Sequence, residues 1–89
     1  MKAVITVVGK DTVGVIAKVS AVCAELNINV EDVTQSIMQD MFCMIMLVNL
    51  SHCSQDMDAV RARFASVAEE MGMELHITRE EVFDAMHHI

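Results

Sequence analysis

The chain has 89 residues, 54% of them hydrophobic, and sets 6 Lys+Arg against 13 Asp+Glu for a net charge of -7. A chain this short buries only about 60–65% of its extended surface, so residues 1–89 make one domain with one core. An apolar share above the globular average of about 45–50% leaves a surplus for a partner-facing surface. The acidic balance counts against DNA, RNA and anionic membrane, whose binding draws on clustered Lys and Arg, and the absence of Trp and Tyr removes the platforms on which bases stack.

Met1 to Lys10 begins like a signal peptide, but its apolar run breaks at Thr6 and ends in charge with no small-residue cleavage site. The chain therefore reads as cytoplasmic. Three cysteines, Cys23, Cys43 and Cys53, lack any C-x-x-C spacing and sit in largely apolar stretches, as expected of buried, reduced thiols.

Residues 2–8 are β-rich and apolar on both alternating faces, the pattern of a strand interior to its sheet. Asp11 and Thr12 then offer an N-cap to a helix whose apolar face is Ile16, Val19, Cys23 and Leu26, with Asn27 as a left-handed stop. Residues 28–38 are strand-like but polar, and their apolar phase slips between Val30 and Val33, which fits a bulged edge strand. Gln39 and Asp40 make a turn, and residues 42–48 are again apolar on both faces. Ser54 caps a second helix with Met57, Val60, Phe64, Val67 and Met71 on its buried side and Gly72 as its stop. Met73, Leu75 and Ile77 alternate with Glu74, His76 and Thr78 in a fourth strand, and residues 79–89 form a short helical tail.

The order is βαββαβ plus a tail. Two interleaved right-handed βαβ units give the α+β, ferredoxin-like sandwich: a four-stranded antiparallel sheet of order 4-1-3-2, two helices on one face, and a short C-terminal helix. The two all-apolar strands are the first and third, which this topology makes central. Both helices lie on one face, so the apolar residues on the other need a cover, most simply a second copy.

Fold alone does not give function. The loop Gly9-Lys10-Asp11-Thr12-Val13-Gly14 lacks the paired cysteines of a metallochaperone and the phosphate-clamping Arg of an acylphosphatase, and the central strands lack the aromatics of an RNA-recognition motif. What the loop offers is two glycines that let a ligand approach the backbone, a helix start whose free N–H groups favour a carboxylate, and an acid, Asp11, that can receive an ammonium. An amino acid carries both groups. The alternative is that Asp11 or Thr12 simply caps the helix and the glycines simply turn the chain.

Gly9 to Gly14, followed by Leu26-Asn27-Ile28-Asn29-Val30-Glu31-Asp32-Val33, resembles the ACT domain, a small regulatory module of amino-acid metabolism, over residues 2–78. Length and tail resemble the small stand-alone bacterial members, with the tandem-domain repressor of the glycine-cleavage system as a larger relative. The resemblance implies a homodimer that holds an amino-acid-like ligand at the subunit interface, through Gly9, Asp11, Thr12, Gly14 and Asn29, and signals to a regulated enzyme or a transcription factor. Asp11 stands where serine-binding members have an Asn, Gly14 matches the glycine at the helix start, and Asn29 matches a second polar contact. Gly9 replaces a ligand-touching His and Val13 a common Pro, so the ligand's identity does not carry over. A dimerisation or protein-interaction module without a ligand is the alternative.

The remaining polar residues are expected to be unremarkable. His52 beside Cys53 is a solvated loop, Ser51 and Ser54 make no triad with His52, Lys10 is a solvated charge, His87 and His88 are a frayed end, and Met38, Met44 and Met46 are core residues. Neither a catalytic site, a metal nor a cofactor is expected.

Overall fold

Strand β1 (Lys2–Lys10) carries apolar side chains on both faces and accordingly lies inside the sheet, between β3 (Met41–Asn49) and β4 (Glu74–Arg79). In this computed structural model, which describes residues 1–10 and 13–86, β2 (Asn29–Met38) pairs with the far side of β3. All pairings are antiparallel and the order is β2-β3-β1-β4, as expected from the alternation. Helices α1 (Val15–Glu25) and α2 (Met57–Met71) pack together over one face. The core between the layers is Ala3, Ile5 and Val7 of β1 and Phe42, Met44, Met46 and Val48 of β3, against Val19 and Val22 of α1 and Val60, Phe64 and Val67 of α2. Burying a side chain the size of Phe64 contributes about 2–3 kcal/mol.

Both helices end as expected. Asn27 takes φ 60°, and the N–H groups of Asn27 and Ile28 bond back to the carbonyls of Ala24 and Cys23 at 3.2 and 2.8 Å, closing α1 in a Schellman motif. Gly72, at φ 68°, closes α2 the same way, with Met73 N–H donating to the Ala68 carbonyl at 2.9 Å. The β2 register shifts between Val30 and Asp32, which makes Glu31 the bulged residue. Its carboxylate is held by Lys2 Nζ at 3.0 Å and Asn49 Nδ2 at 3.2 Å, so the bulge is tied across β3 to the start of β1.

Five local expectations are corrected. Gly9 and Lys10 belong to β1 rather than to a loop. Helix α1 starts from Gly14, at φ 90° and without a side-chain cap, instead of from Asp11 or Thr12, which lie outside the described residues. With that start the buried face becomes Val15, Val19, Val22 and Cys23, and Ile16 turns to solvent. Helix α2 is capped by Asp56, whose Oδ1 accepts from Ala59 N–H at 2.8 Å, and not by Ser54. Met44 and Met46 are core residues as expected, but Met38, on the edge strand beside the turn, is 73% exposed.

A third helix, α3 (Glu80–Met86), follows β4 directly and packs on β1 and β4. Val4, on the face away from α1 and α2, is buried and outside the main core, and α3 is the element that covers it. No helix among the described residues is long and apolar enough to cross a membrane.

Candidate functional site

Of the five residues expected to touch a ligand, Gly9, Gly14 and Asn29 are described, while Asp11 and Thr12 are not. Gly9 sits at the Lys10 end of β1, opposite Phe42. Its missing side chain has a packing reason: a Cβ there would run into Met73 Sδ, with Met73 Cα at 3.4 Å behind it. Gly14 has open space around it but a left-handed φ of 90°, which a side chain would strain. Among the described residues no side chain caps α1, and its first turn holds no acid.

Asn29 lies elsewhere. It pairs with Asn49, which pairs with Lys2, whereas Gly9 is level with Phe42 and Ile37. Those rows are separated by the length of β1 from Lys2 to Gly9, about 23 Å at a rise of ~3.3 Å per residue. Within one chain, therefore, Gly9 and Gly14 do not share a site with Asn29.

At the Asn29 end there is a cavity of about 670 Å³ lined by Ala24, Asn27, Ile28, Asn29, Asn49 and His52. The C-terminus of α1, the start of β2 and the turn after β3 converge there. The Asn49 amide is oriented on both sides: its Oδ1 accepts from Ser51 N–H at 2.9 Å and its Nδ2 donates to Glu31. Lys2, then Asn49, hold the Glu31 carboxyl below the usual carboxylate range, so that acid is spent on its own neighbours. The lining itself is amides, an imidazole and short apolar groups. Such a surface donates and accepts hydrogen bonds, which suits a small polar molecule.

Sequence reasoning singled out Asn29 in this group but read Asn27 only as a helix stop and His52 only as a loop residue. Alternation of Asn27 and Asn29 about a buried Ile28 was the available signal; the approach of Asn49 and His52 depends on the register of β3. None of the three cysteines is among the residues that line the cavity. Cys23 is buried in the core, and burial raises its thiol pKa to about 11, while Cys43 and Cys53 are half-buried free thiols.

A family model described as the ACT domain matches residues 2–78. A UPF0237 protein of Listeria monocytogenes is 48% identical over 87 residues, covering 98% of each chain. Among solved structures, an ACT domain protein from Streptococcus pneumoniae superposes with a TM-score of 0.82 at 36% identity, covering 93% of both chains. A putative glycine cleavage system transcriptional repressor superposes with a TM-score of 0.77 at 19% identity, covering 88% of this chain and 44% of that one, a likeness of fold alone.

Proposed function

This chain belongs to the ACT domain family, a regulatory type of domain, and from that premise we propose that it binds a small amino-acid-like ligand between two copies and passes its occupancy to a partner protein. The observation that carries the reading is the separation of Gly9 and Gly14 from Asn29 along the sheet. The groups expected to hold one ligand can meet only when a second copy, turned end for end, brings its Asn29 to the Gly9 end of the first.

Edge strand β2 supplies the means. Every residue of β2 but Val30 is exposed, and its outer backbone groups have no strand beside them among the described residues. Antiparallel pairing of two β2 strands about a two-fold at Gln35 sets Val33, 41% exposed, against Ile37 of the other copy, 56% exposed, on the helix side, and Thr34 against Ser36 on the other. Centring on Thr34 instead would leave Val33 against Gln35 and Ile37 against the bulged Glu31. The ligand's carboxylate then faces the Gly14 start of α1 and its side chain reaches the amide-lined cavity of the other copy, while Asp11 and Thr12, outside the described residues, keep the ammonium-binding and hydroxyl roles that the sequence assigns them. The module acts without catalysing a reaction, and its three free thiols suit the reducing cytoplasm. The partner that reads its occupancy is a regulated enzyme or a transcription factor.

Thermal-shift titration of the twenty amino acids tests the reading, since a bound ligand stabilises by RT ln(1 + [L]/Kd). One or a few should raise Tm in the wild type and fail to do so in Asn29→Ala. Silence from all of them at millimolar concentration would refute it. A second reading, an interaction module without a ligand, is favoured by one observation: Gly9 and Gly14 each have a sufficient structural reason to be glycine.

A further inference from the structure

Strand β4 is the other edge of the sheet, and it is built unlike β2. Helix α2 packs over it, so that Ile77 is buried and Leu75 and Thr78 are half-buried, whereas every residue of β2 but Val30 is exposed. Every second residue of β4 turns its N–H and C=O away from β1, toward a side on which no strand lies among the described residues. Between that edge and α2 is a groove of about 270 Å³, lined by Arg61 and Ala65 of the helix and by Leu75, His76, Ile77 and Thr78 of the strand. Ala65 keeps the helix wall low, and Arg61 stands one turn along from it. Arg61 is exposed and pairs with no carboxylate among the described residues, although Asp58 lies one turn before it; Lys2, Lys18, Arg63 and Arg79 all have acidic partners.

We propose that this groove takes an extended segment of a partner protein, which adds a strand beside β4 and sets an acidic side chain on Arg61. In such a contact main-chain bonds to the open edge supply affinity, and the side chains of the groove select the sequence. Charge gives the direction. Helix α2 and β4 meet at Gly72 and run in opposite senses, and a rise of ~1.5 Å per helical residue against ~3.3 Å per strand residue sets Arg61 level with Thr78 and Glu69 level with Glu74. The groove is thus basic at its Thr78 end and acidic at its Leu75 end, where Glu69 and Glu74 are both exposed. A segment antiparallel to β4 fits with an acid where it enters, a base where it leaves and an aliphatic side chain between them over Ala65. A second copy is kept from this edge by its own helix. Pairing β4 on β4 would bring the strands ~4.8 Å apart and with them two α2 helices, each standing over its own strand, where packed helices need about 8–10 Å. The groove lies across the sheet from the β2 edge and does not rest on the ligand reading.

Fluorescence anisotropy of a labelled acetyl-Glu-Thr-Val-Thr-Lys-amide peptide, titrated with the full chain to millimolar concentration, tests it. The wild type should bind saturably and Arg61→Glu at least about tenfold more weakly, and Arg61→Glu should regain affinity for the peptide that has Lys in place of its Glu. Ala65→Leu raises the helix wall and should also lose binding. Both positions are exposed, so folding tolerates the changes and circular dichroism should match the wild type. Hydrogen exchange at the outward amides of β4 should slow when the peptide is added, with no change at β2. Absence of saturable binding, equal binding by either folded variant, or protection at β2 instead of β4 overturns the proposal, as does protection of those outward amides in the chain alone, the sign of a second copy on that edge. An amino-acid thermal shift should be the same in Arg61→Glu as in the wild type, so the groove and the ligand site stand or fall separately.

Discussion

Replacing Gly9 with Ala asks whether that glycine serves packing or a ligand. In a strand, Ala for Gly gains about 0.5–1 kcal/mol of backbone entropy. Against this, the new Cβ meets Met73 Sδ, and Met73 is itself only 7% exposed in the core, so its thioether has no empty space to swing into; Met73 Cα at 3.4 Å blocks retreat of the backbone. Overpacking of this kind costs about 1–3 kcal/mol. The net loss expected is about 1–2 kcal/mol, or a fall in Tm of about 4–16 °C for a domain of this size. Urea unfolding of Gly9→Ala, Met73→Ala and the double variant measures it. Met73→Ala alone leaves a cavity and costs about 2–5 kcal/mol, but in the double variant the methyl introduced at position 9 occupies part of that space, so the double should be at least ~1 kcal/mol more stable than the sum of the singles predicts. Additive effects, with Gly9→Ala within about 0.5 kcal/mol of wild type, would refute the packing account and return Gly9 to the ligand.

Asp56→Ala should cost about 1 kcal/mol in the same assay through loss of the α2 cap, while Ser54→Ala should cost almost nothing. Glu31 has its folded pKa lowered by Lys2 and then Asn49, so its contribution is fully present above the ordinary carboxylate range and lost as pH falls through the lowered value; Glu31→Gln should flatten the decline of Tm below about pH 4.5, and an unaltered decline would remove Glu31 from the acid sensitivity. Cys23, buried and with a thiol pKa raised to about 11, should resist alkylation at pH 8 in the folded protein while half-buried Cys53 reacts, as peptide mapping would show.

Much of the scaffold was legible because each signal lay within one element. Apolar residues on both faces marked β1 and β3 as the central strands, a slip in phase marked the bulge at Glu31, and Asn27 and Gly72 stood where a left-handed residue ends a helix. The caps were less legible. Ser54 and Asp56 are both competent acceptors two residues apart, and only the backbone path into α2 selects Asp56. In α1, Gly14 rather than an Asp or Thr sets the first residue, and the position of that start rotates Ile16 out and Val15 and Val22 in.

The sequence by itself determined the topology, the family and the chemistry of the residues at both ends of the sheet, since periodicity, chirality of crossovers and a short motif need no knowledge of distant contacts. Tertiary structure alone decided that Gly9 is pressed by Met73, that Asn49 and His52 join Asn29 around a cavity, and that Asn29 lies a strand's length from Gly9. It also packed α3 against β1 and β4. These facts depend on which residues of different elements stand level across the sheet, and register is settled by the summed packing of the whole core rather than by any one segment.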